Sequence, residues 1–96
     1  MNNATLDFLY SEALAEVLAT APNEPEGIPS LADLTASIRE LVGDEQLAFP
    51  DFEAFFAWFD VFSGYDQMDE GVTAAAHKPI IKVAFLALAA EGLFSI

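Results

Sequence analysis

His77 is the only imidazole in the chain and there is no cysteine, so composition alone closes the commonest routes to nucleophilic and metal chemistry. A site that needs two histidines cannot form within one chain, and the flanking Lys78 and Pro79 make no nucleophile–base arrangement with His77. The plainer role for this histidine is to end a helix, where it complements the dipole. No two of the five glycines lie within three residues of each other, which excludes a Gly-rich phosphate cradle of the usual kind, and no GxSxG, HExxH or Walker pattern is present. The segment DQMDEG, 66 to 71, has the acidity of a calcium loop without its design. Met68 stands where an oxygen ligand belongs, and the closing bidentate glutamate is missing. Sixteen carboxylates could supply acid–base pairs in any combination, and that abundance singles out none. The expectation is a non-enzymatic protein with no catalytic, cofactor-binding or metal-binding residues.

The charge itself is the stronger signal. Arg39, Lys78 and Lys82 face 16 acidic residues, for a net charge of −13 in 96 residues. Nucleic acid and anionic lipid are recognised by clustered Lys and Arg, which this chain lacks, so direct binding to either is not expected. A basic protein is the natural complement, with a merely well-solvated surface as the bland alternative. Hydrophobic residues make up 54% of the chain, enough for a core in spite of the charge. Residues 1 to 96 read as a single acidic helical domain. The absence of cysteine suits a reducing cytoplasm, and the opening MNNATLDFLY, with no basic segment and with Asp7 inside its apolar run, does not read as a signal peptide.

Three acidic, turn-rich connectors, 21 to 29, 43 to 50 and 64 to 71, separate segments with helical periodicity, which predicts an all-α fold: a small antiparallel bundle of four main helices. In the first segment Leu6, Leu9, Tyr10, Ala13, Leu14 and Val17 share one face, with Asp7, Glu12 and Glu16 off it. In the second, Ser30 is placed to cap, Asp33 stands at the third helical position, and Gly43 is placed to end the helix. Its stripe is Leu31, Leu34, Ile38, Leu41 and Val42. The third segment carries seven aromatics in the 14 residues 49 to 62. At about 100° per residue, Phe52, Phe55, Phe56, Phe59 and Phe62 fall within about 120°, the expected core face. Trp58 at its edge is a boundary residue or an exposed anchor. The final segment breaks at Pro79, which suits the first turn of a new helix. The last helix is therefore expected from 79 to about 92, kinked or split at Pro79 from a short helix near 70 to 78. From Ile80 to Ala90 only Lys82 is polar, yet the run falls short of the roughly 20 apolar residues that a membrane span needs. It reads as the central helix of the domain, or as one with a face buried in a homo-oligomer.

Residues 1 to 77 hold 15 acids against Arg39 alone, so the charge belongs to the outer helices and connectors. In an up-and-down bundle the first and third connectors share an end, which would gather Glu24, Glu26, Asp66, Asp69 and Glu70. A second band would run along Glu12, Glu16, Glu53 and Asp60 if the first and third helices are neighbours. Carboxylates on a rigid convex surface can stand in for backbone phosphates in a basic groove. In length, charge and helical content the chain resembles phage inhibitors of host defence, such as anti-CRISPR and anti-restriction proteins, and the small acidic immunity proteins. It shares no sequence pattern with them, so the likeness is one of physical type. The function expected on this reading is inhibition of a basic, nucleic-acid-handling partner through these acids and Trp58. The alternative is an assembly protein or chaperone that oligomerises or binds a client through the apolar last helix and the aromatic helix.

Overall fold

A computed structural model describes residues 3–20, 28–62 and 77–94, and among them the regular elements are all helices, with no strand. Four helices follow in order: α1 (Asn3–Thr20), α2 (Leu31–Val42), α3 (Phe52–Phe62) and α4 (Lys78–Ala90). The expected small helical bundle is the observed fold. Residues 70 to 76, where a short helix was expected, lie outside the described residues.

The helix ends follow from local chemistry. Ser30 takes an extended conformation and its Oγ accepts the backbone N–H of Asp33 at 3.1 Å, satisfying one of the orphan donors at the start of α2. Gly43 closes that helix at φ 58°, a left-handed conformation costly for any residue with a Cβ, and its N–H donates to the Arg39 carbonyl at 2.9 Å. Asp51 caps α3, its Oδ1 accepting the Ala54 N–H at 2.9 Å. Pro79 stands in the first turn of α4, where its missing N–H is harmless. His77 is the buried N-cap of α4, and its carbonyl accepts from Ile80 and Ile81.

Helix α4 is the hub. The other three helices pack against it, and Ile80, Ile81, Val83, Ala84, Phe85, Ala87 and Leu88 are all buried. Its 13 residues span about 20 Å, short of a roughly 30 Å hydrocarbon layer, and no helix among the described residues is long and apolar enough to cross a membrane. From α1 come Ala13 and Val17, and from α2 Leu34, Ile38 and Val42. Phe49, Phe55, Phe59 and Phe94 complete the core. Phe55 sits among six rings: Phe49, Phe52, Trp58, Phe59, Phe85 and Phe94 have centroids 4.9–6.2 Å from its own, the range in which offset and edge-on aromatic pairs attract.

The aromatic arc of α3 is not uniformly core. Phe55 and Phe59 are buried, Phe52 and Phe56 are half-buried, and Phe62 is 63% exposed. Phe62 has the angular position of a core residue, but the whole last turn, Asp60 to Phe62, is exposed, and the described ring that it meets is Trp58, at 6.0 Å. A helical wheel gives direction around an axis and carries no information about where along that axis the neighbours stop.

Tyr10 joins α1 to the segment before α2, its hydroxyl donating to the Pro29 carbonyl. Burial first, and the Asp33 carboxylate second, push its pKa above the ordinary value of 10.0. A folded-state pKa raised in this way means that the contribution of the hydroxyl is complete below the ordinary phenol pKa and is lost as pH rises through the raised value. Tyr10→Phe is expected to cost about 1 kcal/mol at neutral pH. In urea melts the gap between wild type and variant should stay constant through neutral pH and shrink in alkali. A gap independent of pH up to the alkaline limit would show that the phenol is not held in this way.

Candidate partner-binding surface

Eleven of the 16 carboxylates belong to described residues, and every one of them is exposed. In α2 and α3 the apolar positions repeat at three and four and turn inward, which leaves Asp33, Glu40, Glu53 and Asp60 on the outer arc, whereas in α1 the acids stand at the borders of the buried face. Several of these acids have structural partners. Asp51 caps α3, Asp33 stands in the first turn of α2 at the positive end of its dipole, Glu91 pairs with Arg39, and Glu53 Oε2 lies 3.0 Å from Lys78 Nζ. Both ion pairs are solvent-exposed and contribute about 0–1 kcal/mol each. Lys78 also lies 4.9 Å from the centre of the Phe56 ring, a cation–π contact that holds its ammonium over the aromatic helix. Two of the three basic residues are thus paired within the chain. Lys82 is exposed and has no ion pair with a described residue.

Of the positions that the sequence marked for partner binding, Glu12 and Glu16 are exposed on α1, and Glu53 and Asp60 are exposed on α3. The condition for a single band joining them was that the two helices be neighbours. Both helices lie against α4, and their contact with one another is weaker than either of those. Trp58 is half-buried, its ring 5.4 Å from Phe49 and 5.8 Å from Phe55, which makes it a boundary residue. Glu24, Glu26, Asp66, Asp69 and Glu70 lie outside the described residues.

Two features of this surface were not read from the sequence. One is the pairing of Glu53 with Lys78, 25 residues apart, which no local spacing announces. The other is a cleft of about 360 Å³ between Gly43–Ala48 and Gly92–Phe94, where the ends of α2 and α4 converge beside Asp44 and Glu45. The Arg39–Glu91 ion pair ties the same two helix ends together. Gly92, at φ 83°, turns the chain back after α4, as its lack of a Cβ allows. Among the described residues no group of three or more His, Cys, Asp or Glu is placed to hold a metal ion.

The comparisons with protein families, curated proteins and solved structures give no match to this chain.

Proposed function

We propose that this protein is a non-enzymatic binding inhibitor whose acidic surface occupies a basic, nucleic-acid-binding site of a partner protein, in the manner of phage anti-defence or immunity proteins. The observation that carries this reading is that all eleven described carboxylates are exposed on a helical body in which Arg39 and Lys78 are already paired. Fixed negative charge on a packed scaffold needs little rearrangement to meet a groove lined with Lys and Arg, and it raises the association rate for such partners. The assembly reading keeps one specific observation in its favour, the exposure of Phe8, Val61 and Phe62. The apolar face of α4 is already covered by the other three helices.

The test is affinity capture from a native extract, elution along a salt gradient, and a competition assay of the captured protein against its nucleic acid. The inhibitor should release its partner at moderate salt and displace the nucleic acid. Reversing Glu24, Glu26, Asp66, Asp69 and Glu70 to lysine should weaken displacement by at least tenfold and leave the fold intact. Salt-resistant self-association with no basic partner would overturn the reading.

A further inference from the structure

Helix α1 is apolar on two sides. Its inner face places Ala13 and Val17 in the core, with Leu9, Tyr10 and Leu14 packed beside them. On the far side, at about 100° per residue, Ala4, Phe8, Ser11, Ala15 and Ala19 share an arc of about 80°, and all five are exposed, Phe8 by 63%. Phe8 is a large aromatic side chain left in water in the second turn of α1, in line with the small residues of the same arc. Its borders are charged: Asp7 lies along one edge of the arc, and Glu12 and Glu16 along the other. The arc from Ala4 to Ala19 runs about 22 Å, four turns of helix.

We infer that the outer face of α1 docks an amphipathic helix of a partner protein, one whose apolar stripe is flanked by Lys and Arg. The charges decide the occupant. Helix α1 contains no basic residue, so a second copy laid on this face would set carboxylates against carboxylates in either orientation. A helix with basic flanks meets acids on both edges of its apolar seam, as complementary flanking charges select partners in coiled coils. Phe8 is the knob of the seam, and the alanines and serine allow close approach of the incoming backbone. The exposed pair Val61 and Phe62 occupies a single turn bordered, among the described residues, by one acid, Asp60. This inference rests on the reading of the chain as a binder of basic protein, and it names the surface and the shape of what binds.

The probe is a synthetic 18-residue amphipathic helix with a Leu/Ala face flanked by lysines, and its control carries glutamates in the flanks. Added to isotope-labelled protein at low salt, the Lys-flanked peptide should move backbone amide resonances of α1 selectively, while the control moves none. Phe8→Ser should weaken binding by about tenfold or more, Ala15→Lys should weaken it similarly, and Val61→Ser should leave it unchanged. Because Phe8 and Ala15 are exposed, the melting midpoints of these variants should match wild type. The double change Asp7→Lys with Glu12→Lys should reduce the preference for the Lys-flanked peptide. Shifts spread evenly over α2 and α3, or binding indifferent to Phe8→Ser, would overturn the inference, as would self-association that Phe8→Ser abolishes. The two readings fail separately. Native capture without a basic partner removes the inhibitor reading and leaves the peptide result standing, whereas peptide binding that ignores Phe8 removes the α1 face and leaves the inhibitor reading in place.

Discussion

Phe55→Ala is expected to destabilise the fold by about 3–5 kcal/mol, the cost of removing a phenylalanine from a packed interior. The ring is fully buried and lies among six others, from α3, α4 and the segments beside them, so no single neighbour can collapse into the space. A domain of this size has about 5–15 kcal/mol of stability in total, so the variant should melt at far lower urea. Phe62→Ala is the matched control. It changes the same residue type on the same helical arc, but at a position 63% exposed, and should move stability by no more than about 0.5 kcal/mol. Trp58, the only tryptophan, touches both rings and reports both melts by fluorescence. Equal losses in the two variants would mean that α3 is packed to its end, contrary to the structure.

An equally large effect is expected one turn into α4, where two adjacent substitutions should have opposite fates. Ile81 is fully buried and Lys82 is exposed. Ile81→Asp puts a carboxylate in the core with no partner, at a cost of several kcal/mol, comparable with the whole stability of the domain. The chain should be unfolded at neutral pH. Desolvation raises the pKa of a carboxyl group placed there, so stability is retained below its unfolded pKa and lost as pH rises through the folded value. Acidification should therefore recover part of the helical signal. Lys82→Asp should leave the fold within about 0.5 kcal/mol of wild type at moderate salt. Circular dichroism and light scattering together decide the matter. A folded monomer carrying Ile81→Asp would mean that the apolar face of α4 is a seam between copies, and the hub architecture would be wrong.

The helices were legible where their cause was local. Ser30 and Gly43 mark the ends of α2 because a side-chain oxygen and a missing Cβ solve problems confined to one turn, and both do what their spacing predicted. The central place of α4 was readable from Ile80–Ala90 because a helix nearly devoid of polar residues must be covered on several sides. Phe62 was misplaced because its exposure depends on where neighbouring helices stop, which is not a periodic property. The outer stripe of α1 escaped notice because alanine and serine are neutral in any hydropathy pattern, and a single phenylalanine among them does not shift the period. The acidic surface was legible as composition. Its division between capping, ion pairing and open carboxylates was not, since Glu53 and Glu91 find their cations 25 and 52 residues away.

The order of the helices along the chain has a consequence for biosynthesis. The element against which the other three pack is the last of the four to leave the ribosome. Until it does, Val17, Ile38 and Phe55 lack the α4 surface against which their helices pack, and the nascent chain carries those apolar faces partly open, the condition in which aggregation begins. The 15 acids and one arginine of residues 1 to 77 lie in the portion that has to wait. Two such unfinished chains that meet before α4 arrives carry like charge, which opposes their close association.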